Sequence, residues 1–406
     1  MAESKEVDVL IVGAGPVGLT LALALKKFAP AMSVAINDVR PLVVPNDERS
    51  SALALGVTSV FEAIGVWDQM LPDAAPISGM HITDSDEADL MRPLFLKFEG
   101  DVVPGQPFAH MVPNRSSIKA LLDSAKEEGV ELIAPVKTTG FDFSGLGAKV
   151  DFDDGRQITA RLVVAADGAS SALRDRAGID TIGHDYKQSG IVTTFSHEID
   201  HEQVAYEHFL PSGPFATLPL PNNRSSLVWS ERTEDVPKYL EMDLEKVAFE
   251  IEKRMGSTLG KVTVEAPLQA FPLKLQIAKS FVGDRLALIG DAAHVVHPIA
   301  GQGMNLGIKD VAALAEVLIL AMRQGEDIGG EDVLKRYEKW RRMDIGLMAV
   351  ATDGLNKLFS NNLPPLRVIR DVGLGVVDRL PILKKAFIGH AAAAQGGPKL
   401  LSGRGI

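Results

Sequence analysis

Three short stretches hold residue types whose spacing could do chemistry. The first, "VDVLIVGAGPVGLTLAL", sets Gly13, Gly15 and Gly18 in G-x-G-x-x-G spacing between an apolar run and a helix-like run. There Gly13 permits a tight turn, Gly15 lets the backbone approach a pyrophosphate, and Gly18 lets the helix pack on the strand. The phosphates would sit on the helix N-terminus, whose unpaired N–H groups and dipole favour negative charge. Asp38, 20 residues beyond Gly18, stands where a strand-end carboxylate meets a ribose hydroxyl. The pattern points to a dinucleotide and does not by itself separate NAD from FAD.

The second stretch, "LVVAADGASSALRDRAGI", ends an apolar strand at Asp167-Gly168, with Ser171 and Arg174 in the next turn. Alone it is an ordinary strand and turn, with Arg174 capping or pairing locally. The third, "LALIGDAAHVVHPIAGQGMNLGIKD", closes a buried strand with Gly290 and Asp291. A carboxylate there is well placed to accept a ribitol or ribose hydroxyl. Gly301-Gln302-Gly303-Met304-Asn305 then opens a long apolar helix. The N–H groups such a start exposes suit an anion or the N1–C2=O edge of a flavin, where charge builds up on reduction. His294 and His297 sit on this loop without a third ligand of the usual type nearby. They read as loop-packing or cofactor-side residues and not as a metal site, which needs a defined ligand set.

The surrounding elements must hold these stretches in place. Val7 to Val12, Leu19 to Leu25 and Met32 to Ile36 read as a β–α–β unit with parallel pairing. "SALALGVTSVFEAIG" reads as a helix, and residues 77–104 as short strands with acidic turns. "NRSSIKALLDSAKEEGV" has helical periodicity, with Ser116 or Ser117 as cap and Gly129 as stop. Residues 190–274 form a β-rich block, read as one antiparallel sheet, and helices dominate from Met304. The closing "GGPKLLSGRGI" reads as frayed. The α/β start, β-rich middle and returning apolar strand imply a discontinuous nucleotide domain with a sheet domain inserted into it.

Composition narrows the class. A chain of 406 residues suggests two or three domains at roughly 150 residues each. The absence of cysteine excludes disulfides, thiolate metal sites, iron–sulfur clusters and a cysteine nucleophile. With 42 basic and 53 acidic side chains the net charge is −11, which argues against a nucleic-acid partner. "MAESKEVDVLIVGAG" lacks the order of a secretory signal, and the longest apolar run, "VAALAEVLILAM", is short and carries Glu316. The expectation is a soluble or peripheral cytoplasmic protein. The last fifty residues reverse the charge, with eight basic against two acidic side chains from Lys357 to Ile406. Leu366, Ile369, Val372, Val376 and Leu380 recur there at near-helical spacing, interrupted by Pro364, Pro365, Gly373, Gly375 and Pro381. Such a basic amphipathic face suits an anionic membrane surface, where the protein would be peripheral to the inner membrane. It equally suits the protein's own acidic body or a partner hydroxylase.

Taken together, the glycine loop, "ADGASSALR" and "LIGDAAHVVHPIAGQGMN" resemble the three signatures, in order, of the group A flavin-dependent monooxygenases, the para-hydroxybenzoate hydroxylase fold. Within that group the chain looks most like the ubiquinone-biosynthesis hydroxylases of the UbiH type. The further stretches that carry the likeness are "DERSSALALGVTSVFEAIGVW", "FLPSGPFATLPLP", "SSLVWSE" and "GLNKLFSNNLPPLRVIRDVGLGVVDRLPILKK". Small departures are Asp38 where Glu is usual, after a polar Asn37, Met304 where Leu is commoner and Lys309 where Arg is commoner.

The resemblance implies an FAD-binding Rossmann domain from residues 1–75, 105–180 and 275–350, and an antiparallel-sheet substrate domain from 76–104 and 181–274. Residues 351–406 would be a helical C-terminal segment. It also implies that Gly13, Gly15 and Gly18 hold the FAD pyrophosphate and Asp38 its adenosine ribose. Arg49 and Arg115 would contact the flavin-ribityl-phosphate half. Asp167 would serve both FAD and NAD(P)H, Asp291 would take a ribitol hydroxyl, and Gly303, Met304 and Asn305 would line the isoalloxazine. The implied reaction is hydroxylation of a prenylated phenol by O₂ through a flavin C4a-hydroperoxide, so the flavin carries the chemistry and no catalytic side chain is assigned. The electron donor is NAD(P)H or a redox protein, since no second dinucleotide loop is present. A hydroxylase of a small soluble aromatic and a non-catalytic flavoprotein subunit of a biosynthetic complex remain alternatives. The halogenase motif W-x-W-x-I-P is missing, because Trp67, Trp229 and Trp340 stand alone.

Overall fold

The computed structural model describes residues 4–84, 94–99, 104–143, 146–297, 302–359 and 397–406. The strand Ser4–Val12 lies inside an eight-stranded sheet. It pairs in parallel with Val34–Asn37 on one side and Gln157–Ala165 on the other. Glu131–Ile133 and Leu286–Leu288 extend the parallel core outward. A parallel sheet covered on both faces buries both faces of its central strands toward their C-terminal ends, which is why residues 9–12 and 162–165 read as apolar runs. Pro16–Phe28 follows with Pro at its first turn, and packs against Asn114–Glu127 and Gln302–Arg323.

A second, nine-stranded sheet is built on the 17-residue strand Thr181–His197. That strand pairs with Arg224–Arg232 and Gln269–Ala278 on its two sides. Gly213–Leu220, Val204–Leu210 and Gly79–Asp84 follow in order, the last in parallel. The two-residue strand His294–Val295 pairs with Gln276 and Ile277, so the loop after Asp291 is stitched to this sheet. The fold is therefore a Rossmann-type FAD-binding sheet with an inserted sheet, closed by the helices Gln302–Arg323 and Glu331–Phe359.

Three local readings need correction. "SALALGVTSVFEAIG" is not one helix: Ser50–Ala54 is a strand and only Leu55–Ile64 is helical. The strand joins Ala109–Pro113 and Ala75–Ile77 in a third, three-stranded sheet that periodicity did not foresee. Tertiary pairing overrode local preference there. The helix after Pro113 starts at Asn114, so Ser116 and Ser117 lie inside its first turn and neither caps it. Ser116 instead donates to Asp73 (2.6 Å).

The chain end is not frayed. Leu400 and Leu401 are buried, Lys399 N donates to Glu316 (2.7 Å), and Arg323 donates to the carbonyls of Phe28 and Ile406. The apolar positions from Leu366 to Leu380 lie outside the described residues. Among the described residues no helix is long and apolar enough to cross a membrane.

Leu400 is fully buried, whereas Leu244 is 41% exposed. Leu400→Ala is expected to cost about 2–5 kcal/mol in urea unfolding and Leu244→Ala less than about 0.5 kcal/mol. Equal, small losses would mean that the docked terminus contributes nothing to the fold.

Candidate functional site

The glycine loop separates into two roles. Gly13 has φ +111°, and a Cβ there would lie 2.2 Å from the Ala166 carbonyl oxygen. A Cβ at Gly18 would lie 2.0 Å from the Gly13 oxygen. Both glycines are demanded by the chain itself. Gly15 is different: a Cβ there meets nothing within 4 Å, and its φ of −74° is open to any residue. The space before Gly15, at the start of the helix, fits a phosphate group brought from outside the chain.

Asp38 is buried beneath this loop. Its Oδ2 accepts from Ala14 N (2.9 Å) and its Oδ1 from Arg40 N (2.8 Å). Oδ1 also accepts from Arg40 Nε (3.3 Å), whereas Oδ2 keeps a second acceptor site, so the carboxylate can shape the loop and still receive a hydroxyl. Asn37 beside it donates to the carbonyls of Ile133 (2.9 Å) and Val136 (2.7 Å), locking the second strand to its outer neighbour.

At the second motif, Ser171 accepts from Arg174 N (3.1 Å) and starts a short helix. Arg174 does more than pair locally. Its Nη1 donates to Ala169 O and Ala292 O (both 3.2 Å), tying this turn to the Asp291 turn. Asp167 accepts from Leu173 N (3.3 Å), while its Oδ1 is buried with no partner among the described residues. Burial pushes its carboxyl above the usual range, against bonds from Ser171 and Leu173.

Asp291 opens on a cleft of about 340 Å³ between the two large sheets. Its carboxylate faces free space but lies deep in the fold. Desolvation raises its pKa, and the charges of His294, Lys274 and Arg49 oppose the rise. Arg49, Gly303 and Met304 line the same cleft. Arg49 is held by Asp47 (2.7 Å) and lies over the Phe271 ring, 4.6 Å from its centroid. Arg115 stands apart, half-exposed, 3.9 Å from Glu48 and lining a separate surface pocket with Gln69 and Lys119. Asn305 is buried beneath the cleft floor. Its side chain accepts from Ala54 N (2.8 Å) and donates to Ala52 O (2.7 Å), so it caps the edge of the third sheet.

The two loop histidines differ. His294 donates through Nε2 to Asp310 (2.6 Å), which also accepts from Gly290 N (2.9 Å) and Arg341 Nε (2.7 Å). His297 is fully buried, lines the cleft, and has no hydrogen-bond partner at either ring nitrogen among the described residues. Burial lowers its pKa to about 4, so its ring is neutral at neutral pH. Among the described residues no group of three or more His, Cys, Asp or Glu could hold a metal ion. Sequence reasoning missed Asp310, Arg341 and Glu207, a buried carboxyl on the opposite cleft wall. Only Asp310 had a signal, as the charged end of an otherwise apolar helical turn.

The glycine geometry sets a direct test. Gly15→Ala is expected to leave the melting temperature of the FAD-free protein near wild type while weakening FAD binding by roughly tenfold or more. Gly13→Ala is expected to lower the melting temperature itself, because it strains the backbone and clashes with Ala166. Wild-type FAD affinity in Gly15→Ala, by fluorescence titration, would remove that loop from the cofactor site.

Comparison with known proteins shows the family. The family model for the FAD binding domain matches residues 6–349. The ubiquinone hydroxylase UbiL of Rhodospirillum rubrum is 43% identical over 391 residues, 95% of this chain and 90% of its own. The 3-demethoxyubiquinol 3-hydroxylase of Escherichia coli is 34% identical over 393 residues, 96% of this chain and 99% of its own. Among solved structures, p-nitrophenol 4-monooxygenase PnpA from Pseudomonas putida superposes with a TM-score of 0.77 at 18% identity, over 97% of this chain and 100% of that one. That likeness shows the fold. The family model and the relatives show more: the chain belongs to the FAD-dependent aromatic-ring monooxygenases related to the ubiquinone-biosynthesis hydroxylases.

Proposed function

We propose that this monooxygenase hydroxylates the aromatic ring of a polyprenylated phenol in ubiquinone biosynthesis, with O₂ as oxygen source. The cleft carries the reading. One wall holds the cofactor-type groups Arg49, Asp291, Gly303 and Met304, and the other is a sheet face of Val192, Ala205, Pro214, Ala216, Leu218 and Val228. A ring with a long apolar chain suits that second wall. The names of the relatives, a ubiquinone hydroxylase and a demethoxyubiquinol hydroxylase, support the same class.

On this reading Gly13, Gly15 and Gly18 carry the pyrophosphate and Asp38 the adenosine ribose. Arg49 and Asp167 meet the remainder of FAD, and Asp291 takes a ribitol hydroxyl. Gly303 and Met304 line the ring, and Asn305 holds their helix to the strand Ser50–Ala54. Arg115, outside this cleft, is given no contact there. Bound FAD supplies the activation of O₂ for insertion into a ring carbon. The chain's own task is to orient the phenol against Gly303 and Met304 and to exclude water, which the buried sheet face favours. NAD(P)H or a redox protein is the electron source.

Incubating the reduced, FAD-loaded protein with a prenylated phenol under ¹⁸O₂ is expected to give a product carrying one labelled oxygen by mass spectrometry. Turnover of small soluble phenols in preference to the prenylated one would overturn the substrate class, and no turnover of any phenol would overturn the reaction.

The basic residues Arg367, Arg370, Arg379, Lys384 and Lys385 further support contact with an anionic membrane surface, where such a substrate resides. Replacing all five with Gln is expected to abolish flotation with anionic liposomes and leave Leu400 docked. Unchanged flotation, or none in wild type, would remove the membrane contact.

A further inference from the structure

The sheet wall of the cleft contains one group that its apolar surroundings do not explain. Along Val204–Leu210 the side chains alternate between two faces. Tyr206 turns to the face packed around Phe215, Leu227 and Trp229. Ala205 turns to the other, packed with Leu218 and Val228. Glu207, two residues on, shares the face of Ala205 and lines the cleft. Its cross-strand neighbours are Ala216 and Ile82, so nothing beside it on the sheet can pair with a carboxylate. Glu207 is only 5% exposed, and it has no hydrogen bond or ion pair among the described residues.

Among the described residues the ionisable groups around it are accounted for. His81, Tyr206 and His208 belong to the opposite face, where His81 packs edge-on to Tyr206 and His208 meets Thr83 and Phe215. Gly213–Leu220 brings no ionisable side chain. Arg49, Asp291, His294 and His297 line the cleft with it, and none of them perturbs it. Desolvation alone pushes its pKa up to about 7. A buried carboxyl with no partner works against folding, and a leucine would fill this site better. The group is nevertheless poised where a base serves best at neutral pH.

We propose that Glu207 is the proton acceptor for the ring hydroxyl of the substrate. The phenolic O–H bond breaks and a carboxyl O–H bond forms, and the electron pair stays on the phenolate oxygen, which makes the ring richer in electrons. No redox change occurs in this step. The carboxylic acid returns the proton to that oxygen after the ring is hydroxylated, which regenerates the carboxylate. An ordinary carboxylate lies about six pK units below a phenol of pKa about 10, and Glu207 about half as far, so the transfer is correspondingly less uphill. The proposal rests on the reading of the substrate as a phenol.

The test measures binding as well as turnover, with FAD-loaded protein and two probes, a geranylated phenol and its O-methyl ether. Wild type is expected to prefer the phenol by about tenfold or more above pH 7, and the preference is expected to shrink as the pH falls below 7, because the protonated carboxyl keeps only a neutral acceptor oxygen. Glu207→Gln keeps an acceptor oxygen, so a smaller, pH-independent preference is expected, with kcat down by about 10²-fold or more. Glu207→Leu is expected to abolish the preference and to raise the melting temperature. A preference that persists in Glu207→Leu, or that is independent of pH in wild type, overturns the proposal while leaving the substrate class intact. Binding of neither probe by wild type overturns the phenol reading and the proposal with it.

Discussion

The arrangement of the cleft depends on one buried carboxylate. Asp310 is fully buried and receives Gly290 N–H, the Nε2 of His294 and the Nε of Arg341. These donors come from three places: the turn after Leu286–Leu288, the strand His294–Val295 and the helix Glu331–Phe359. Burial works against its ionisation, but His294 and Arg341 more than compensate and hold its pKa low. A charge buried this deeply is tolerated only when its partners are fixed, and removing one partner of such a set costs about 3–5 kcal/mol. Asp310 stands two turns along the helix whose first turn carries Gly303 and Met304. The carboxylate thus sets the distance between the cleft floor and the loop that bears Asp291.

Two further ties join the sheets at the same place. Arg174 reaches Ala292 O from the second motif, and Gln276 of the inserted sheet donates to Ala169 O (3.0 Å). The cleft walls therefore come from elements tied at their base by side chains that reach backbone carbonyls. One wall inherits turns, glycines and carboxylates from the ends of parallel strands, where such sheets bind ligands. The other inherits the flat alternation of an antiparallel sheet, which gives a largely apolar face broken by Ser226, Ser230 and Glu207. A ligand with a charged end and an apolar end matches that division.

The sequence made the parallel strands and the glycine turn legible because their signals are local. A strand buried on both faces must be apolar throughout, and a turn at φ +111° needs glycine. What stayed hidden depends on contacts between distant residues. Ser50–Ala54 is a strand because Ala109–Pro113 and Asn305, more than 250 residues beyond Ala52, accept and supply its hydrogen bonds. The glycine-rich end looked frayed because its partner, Glu316, lies 83 residues away on a helix. Glu316 had been legible only as a charge that spoils a membrane span, and its buried carboxylate is a docking point. Asp38 was legible as a strand-end carboxylate, but its bond to Ala14 N was not, since the loop geometry that brings them together is tertiary. Arg341 carried no signal at all: one arginine in a charged helical run looks like any other.

Asp310 and Glu207 make the deepest contrast in the molecule. Both are buried carboxylates, and burial opposes the charge of both. Asp310 is surrounded by donors from its own chain and stays ionised. Glu207 has none among the described residues and is lifted to about 7. His297, neutral and with no hydrogen bond among the described residues, stands on the same cleft. Native chains satisfy nearly all of their buried polar groups, and a group left without a partner needs a reason outside packing. Where the chain must hold itself together, at Asp310, Arg174 and Asn305, it supplies every partner. Where it faces the cleft it leaves them to what binds there, so the loss of stability falls on the groups that a substrate or cofactor completes.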